Sequence, residues 1–302
     1  MTFAFHSPGN TGRSLREILR ERIEKAGEHL SVPAPRRAEG IHEARKRFKE
    51  LRAALRLFPD QKHPEVAALD KVFRDAGRKL SGTRDAQALL ECWEKLHDTD
   101  PEPLDTPFGR AFHVALRHNA NAQLHESDTL ADVLGRLRTT LRDSLHRLPE
   151  IHAADDGFDY IERGIRRSYR AGRRQLHDAI HHASTEQFHE WRKRVKDHWY
   201  HIRMIAQAWP EMLEHRQRLF KQLSDQLGDD HDLAVLADQL REWPERARQE
   251  KQRQALVSAI MRRQAFLRRE ALALGRRLYA EKPRAFTRRI RYYWALWEQD
   301  QP

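Results

Sequence analysis

Residues 187–203 read QFHEWRKRVKDHWYHIR, and residues 40–56 read GIHEARKRFKELRAALR. Both hold His, Arg, Lys and a further Arg at the same offsets, with apolar residues in register around them. A shift of 147 residues lays His42, Arg45, Lys46, Arg47, Lys49 and Arg56 on His189, Arg192, Lys193, Arg194, Lys196 and Arg203. The same shift lays Phe48 on Val195, Leu55 on Ile202, Leu80 on Leu227, Asp85 on Asp232 and Leu89 on Leu236. One ungapped offset that holds across separate segments implies two halves built on one plan. The expected architecture is all-α: two pseudo-twofold-related antiparallel helical bundles, residues 1–150 and 151–302, flanking a basic groove. The boundary falls near Leu148-Pro149.

The rest of the chain agrees with a helical reading. β-branched residues are sparse, while Ala, Leu, Arg, Glu, Gln and Lys dominate, and these are the strong helix formers. Helices are predicted at 14–30, 40–58, 64–80, 84–98, 107–124, 129–147, 156–183, 186–209, 211–227, 230–242, 245–280 and 284–298. The breaks between them are VPAPRRAEG at 32–40, Phe58-Pro59-Asp60, SGTRD at 81–85, TDPEPLDTP at 99–107 and Trp209-Pro210, all carrying turn residues.

Composition narrows the partner. Lys and Arg number 56 against 45 Asp and Glu, a net charge of +11, and 18 histidines add to it at mildly acidic pH. Such an excess suits nucleic acid, a phosphate polymer or an anionic surface. Cys92 is the single cysteine, which excludes an intrachain disulfide and a thiolate-rich zinc site. No apolar run approaches the roughly eighteen residues of a membrane span. The start, MTFAFHSPGN, lacks the basic and apolar regions of a secretion signal, so the expectation is a cytoplasmic protein with no membrane partner.

The repeated helix has an unusual charge layout. On a wheel of about 100° per residue, Arg45, Lys49, Arg52 and Arg56 fall within about 80° of one another. Ala44, Phe48, Leu51, Leu55 and Phe58 fill the adjoining arc, and Glu43 and Glu50 fall farther round, on the expected solvent side. In the second copy His189, Arg192, Lys196 and Arg203 share a stripe beside Trp191, Val195, Ile202 and Ile205. Like charges three and four residues apart cost helix stability. Carboxylates from a neighbouring helix or a bound anion should offset that cost. The stripe from His42 to Arg56 runs about 21 Å, long enough for an extended chain of phosphates. More arginines follow on 160–176 and 261–297, and their forks suit phosphate oxygens.

These segments resemble the CHAD family, the conserved-histidine α-helical domains. The resemblance rests on residues 42–58, on 189–205, and on LSGTRDAQALL (80–90) and LGDDHDLAVL (227–236), and it covers about residues 14–298. The family pattern His-x-x-Arg-x-x-x-Lys-x-x-Arg is complete at His42, Arg45, Lys49 and Arg52. In the second copy Trp199 stands where the last arginine belongs, with Arg203 one turn on as its replacement. The resemblance implies two similar bundles around a basic cavity and a stand-alone, non-enzymatic module that binds inorganic polyphosphate. It implies no cofactor and no metal, and a cytoplasmic place that extends to polyphosphate granules. The implied binding residues are His42, Arg45, Lys46, Lys49, Arg52 and Arg56, with His189, Arg192, Lys193, Lys196 and Arg203. Arg166, Arg170, Arg173 and Arg174 join them from 160–176, and Lys282, Arg284, Arg288 and Arg289 from the last helix.

Two rival readings use the same residues. Duplex nucleic acid also rewards basic helices, but it asks for an exposed convex helix, whereas these stripes should face inward. A metal-dependent His-Asp phosphohydrolase would need GDDHD at 228–232 and His181-His182 to converge from different helices. His42 and His189 sit near helix starts, where a histidine caps the helix or meets an anion. Asp85 and Asp232 follow Gly-containing breaks and suit N-capping. Tyr169, Trp191, Trp199 and Tyr200 suit the core rather than base stacking. The sequence does not fix oligomeric state.

Overall fold

A computed structural model describes residues 3–125, 127–151, 157–244 and 249–301, without the side chains of residues 34, 82–85 and 123–129. Among the described residues the regular structure is helical, with no strand. The first six helices are α1 (Thr11–His29), α2 (Arg37–Leu55), α3 (Pro64–Lys79), α4 (Ser81–His97), α5 (Pro107–His125) and α6 (Ser127–Arg147). The remaining five are α7 (Gly157–His182), α8 (Thr185–Met204), α9 (Pro210–Glu242), α10 (Glu250–Leu278) and α11 (Pro283–Gln299). Helices α3, α5, α9 and α11 each begin on a proline, whose fixed φ and missing N–H suit the first helical position. Short 3₁₀ turns precede α2, follow α6 and join α8 to α9.

The expected break at GDDHD is absent: α9 runs unbroken through Gly228. The polar residues there serve neighbouring helices instead of ending their own. Asp229 accepts a bond from Lys95 of α4 (2.7 Å), and Asp230 one from Arg268 of α10 (2.7 Å). Asp232 is therefore a mid-helix residue and not an N-cap. Asp85 lies within α4, but its side chain is outside the described residues, so its expected capping role is not addressed.

Buried apolar side chains form two clusters, and each draws on both halves of the chain. The larger gathers α1, α2, α3, α6, α7, α8, α11, the first part of α9 and the end of α10 around Phe48, Tyr169, Trp191 and Trp294. The smaller joins α4 and α5 to the later part of α9 and to α10, around Trp93, Phe112, Leu236 and Ile260. The apolar arcs expected for α2 and α8 are buried throughout. Each such Phe or Leu contributes roughly 1.5–3 kcal/mol. Trp199, Tyr200, Trp191 and Tyr169 are core residues too, and Lys221 lies over the Trp199 ring (5.9 Å).

Glu50 departs from the expected pattern. It is 0 % exposed and accepts bonds from Arg47 (2.6 Å) and from Arg203 of α8 (2.9 Å), with Arg22 of α1 at 3.6 Å. The wheel placed it toward solvent because one helix in isolation cannot show a second helix packing on its far side. Glu43 is half-buried against Arg47 (3.0 Å).

A buried polar chain also ties the halves together. Nε2 of His201 donates to the carbonyl of Ala53 (2.8 Å), leaving Nδ1 to accept from the Ser168 hydroxyl (2.8 Å). Ser168 also meets Nδ1 of His198 (2.9 Å). Burial pushes His201 down to about 3 and holds His198 well below its ordinary value. Unfolding would let both take a proton near pH 6.5, so their contribution is complete above that pH and is lost as the pH falls toward 3. Between pH 7 and 4.5 His201 alone should cost about 2–3 kcal/mol. Urea midpoints across that range should fall accordingly, and His201→Gln should flatten the fall; a flat profile in the wild type contradicts this role.

Candidate functional site

Helices α2 and α8 lie alongside each other, and with α3 they wall a groove of about 580 Å³. From α2 come Arg45, Lys49 and Arg52, with Arg56 just past its end, and from α8 His189, Arg192, Lys193, Arg194 and Lys196. Arg74 and Arg78 of α3 complete it. Among the described lining residues ten are Lys or Arg, and Asp197 is the one carboxylate. Four residues of the first stripe (Arg45, Lys49, Arg52, Arg56) and three of the second (His189, Arg192, Lys196) line this cavity, while His42 and Arg203 do not.

Part of that charge is balanced by carboxylates. Arg52 makes a two-point contact with Asp70 of α3 (3.0 and 3.3 Å), and Arg56 bonds Asp197 and lies 3.7 Å from Asp70. Arg45 donates to the Gly77 carbonyl (3.1 Å). Arg74 and Arg78 reach Asp75 at 3.3 and 3.9 Å. Burial holds the Asp197 carboxyl above its ordinary range, against the pull of Arg56 and Arg194.

The α8 wall is different. Among the described residues, Arg192 and Lys196 make no ion pair with a carboxylate. Nε of Arg192 and Nδ1 of His189 are buried without a hydrogen-bond partner. Nine other buried side-chain polar atoms among the described residues also lack a partner, but these two share one wall of a cationic groove. His189 stacks beside His231 of α9 (4.2 Å between ring centres). Burial, then Lys193 and Arg192, lower His189, and burial and His189 push His231 down to about 4. Both rings are neutral at pH 7.

Lys196 is pushed down to about 8, first by burial and then by Arg192. A polyanion in the groove would restore its ordinary basicity, so binding near pH 8 would take up a proton. Affinity for a polyanion should therefore fall as pH rises from 8 to 9.5, by about tenfold. Lys196→Arg should remove that dependence, and a pH-independent wild-type affinity contradicts it.

The other expected residues are scattered. His42 is exposed, on α2, and does not line the groove. It stands more than a turn inside its helix, as His189 does; α8 is capped by Ser184, which accepts from the amide of Gln187 (3.2 Å). Lys46 pairs with Glu43 (3.5 Å) outside the groove. Arg203 is held by Glu50 and is a packing residue rather than a groove residue. Arg166 contacts Glu162 (3.5 Å), and Arg289 is bound by Glu281 (2.6 Å). Lys282, Arg284 and Arg288 are exposed on or just before α11. Arg170, Arg173 and Arg174 line a separate cleft. Sequence reading missed Arg74, Arg78 and Arg194, although RDAGRK at 74–79 carries two arginines four residues apart.

The expected metal ligands point to different helices: Asp229 to α4, Asp230 to α10 and His231 to α8. His181 packs on His177 (4.3 Å). Among the described residues no three His, Cys, Asp or Glu side chains converge on a metal-binding point. Nor is any described helix long and apolar enough to cross a membrane.

The CHAD domain family matches residues 17–241. Among solved structures, the crystal structure of the CHAD domain from the plant Ricinus communis is similar to this chain. It has 18 % identity and a TM-score of 0.47, over 88 % of this chain and 89 % of that one. No curated protein matches. With its repeated His-Arg-Lys helices and a family match over most of its length, the chain belongs to the CHAD domain family.

Proposed function

We propose that this protein is a non-enzymatic module that binds inorganic polyphosphate in the groove between α2 and α8. Lys193 and Arg194 are paired, and the observation that carries the reading is the part of the α8 wall beside them, where Arg192 and Lys196 have no carboxylate and His189 has a buried, unpaired Nδ1. Phosphate oxygens are the acceptors these groups lack. Family membership supports the same ligand. The reading extends to a cytoplasmic protein that gathers on polyphosphate granules where these form.

The groove is read as the meeting line of two pseudo-twofold halves, residues 1–150 and 151–302. Adding 147 to α1, α2, α3 with α4, and α5 lands each on α7, α8, α9 and α10, within six residues at every end. Arg56, just past α2, meets Asp197 of α8, and Arg203 of α8 meets Glu50 of α2. Under the 147-residue shift these pairs exchange, as contacts across a twofold must.

The test is a titration of long-chain polyphosphate at near-physiological salt, with duplex DNA of equal phosphate content as competitor. Submicromolar binding that DNA does not displace is the expected result. Displacement by DNA at equal phosphate would replace this reading with nucleic-acid binding.

A further inference from the structure

A second concave site lies away from the groove and shares no lining residue with it. It is a cleft of about 470 Å³ between α7, α10 and the turn into α11. Arg170, Arg173 and Arg174 of α7 and Arg276 of α10 form its rim. Leu176, Ile180, Tyr279 and Pro283 give it an apolar floor. Tyr279 is seated against α7 because residue 172 is glycine: a Cβ there would lie 2.2 Å from the phenol oxygen.

Some arginines of α7, α10 and α11 are held by carboxylates, while others, Arg163, Arg263 and Arg277 among them, meet none among the described residues. Arg289 is bound by Glu281, and Arg291 by Asp159 and Glu162. Among the described residues none of Arg170, Arg173, Arg174 and Arg276 meets a carboxylate. Arg173 donates through Nε to the Tyr279 carbonyl (3.1 Å), which fixes its guanidinium at the rim. The fold does not demand them either. Under the 147-residue shift Arg170, Arg173 and Arg174 fall on Ile23, Ala26 and Gly27. Like charges at i, i+3 and i+4 cost helix stability, and here no protein carboxylate offsets them.

The chemistry differs from the groove as well. The groove mixes Lys, Arg and His189 beside Phe48, Phe73 and Tyr200, whereas the cleft has no lysine: four arginines, the planar fork that grips phosphate oxygens in pairs, with His177 beside them. Its floor is apolar, and its volume falls within the range of small-ligand sites. We propose that this cleft is a second anion site, for a small organic phosphate. The phosphates would lie on the arginine rim and a ring or apolar body on the Leu176–Ile180–Pro283 floor. This site does not depend on polyphosphate being the ligand of the groove.

The test uses the full chain and three probes: ATP, tripolyphosphate and adenosine, each titrated with and without saturating long-chain polyphosphate. ATP should bind with a Kd below about 1 mM, unchanged by polyphosphate. Tripolyphosphate and adenosine should each bind at least about tenfold more weakly than ATP. Arg170→Ala/Arg174→Ala/Arg276→Ala should weaken ATP at least about tenfold and leave helicity and polyphosphate binding in place. Displacement of ATP by long-chain polyphosphate would overturn the proposal, as would tripolyphosphate equalling ATP. So would ATP binding that survives the triple substitution, or no ATP binding at all.

Discussion

Arg45→Ala/Lys49→Ala/Arg192→Ala/Lys196→Ala should weaken long-chain polyphosphate binding by at least about 100-fold while the helical content stays that of the wild type. A charge-assisted hydrogen bond to phosphate contributes about 1.5–3 kcal/mol, so four lost contacts would total roughly 6–12 kcal/mol if additive, well above the 100-fold floor. Arg192 and Lys196 should account for most of it, because they have no carboxylate to return to when the ligand leaves. Arg52→Ala and Arg56→Ala should cost less each, since Asp70 and Asp197 already engage those guanidiniums. The plot of log affinity against log salt should flatten by about three, four charges at roughly 0.7 each for a single strand. Folding should not suffer. Arg45 and Lys49 are like charges four residues apart, as are Arg192 and Lys196, and removing them relieves repulsion. A quadruple variant that binds within threefold of the wild type would move the site elsewhere on the surface.

The helical class and the apolar arcs were legible because both are local. Period and composition specify them, and α2 and α8 bury the side chains the wheel assigned inward. That α2 and α8 carry matching basic residues was legible because the same pattern occurs twice, but not that His42 and Arg203 fall outside the cavity those helices line. What local reading could not supply was the partner of each polar residue. Glu50 and Glu43 look alike on a wheel, yet Glu50 is sealed by Arg22 of the preceding helix α1 and by Arg203 of α8, far along the chain. Gly228 with three aspartates around it reads as punctuation, yet Asp229 and Asp230 engage cations on α4 and α10. Trp199 departs from the repeat because its position in the second half is core, while Arg52 in the first half faces Asp70. Charge counting likewise merged the groove and the α7–α10 cleft, which only packing separates.

Glu50→Ala should be the most destabilising single substitution among the charged residues of α2. The carboxylate is fully buried, and Arg47, Arg203 and Arg22 converge on it from three helices. Removing it leaves guanidiniums facing one another across a void, with Arg22 only 2 % exposed and Arg47 only 8 %. Breaking a buried ion pair from one side costs about 3–5 kcal/mol. In a chain of this size that lowers the melting temperature by roughly 5–8 °C. Glu50→Gln keeps the volume and one acceptor and should lie between Ala and wild type. Arg203→Ala in the Glu50→Ala background should restore part of the loss, because it removes one uncompensated charge; the two substitutions would then be less than additive. The exposed Arg36–Glu39 pair supplies the control, since such surface pairs contribute at most about 1 kcal/mol. Glu50 does not line the groove, so below its melting temperature the Glu50→Gln protein should bind polyphosphate as the wild type does. Melting of Glu50→Ala within 2 °C of the wild type would mean that the apolar contacts of α2 and α8 hold the halves together without this cluster. A binding loss in Glu50→Gln would mean that the cluster sets the spacing of the groove walls as well as their stability.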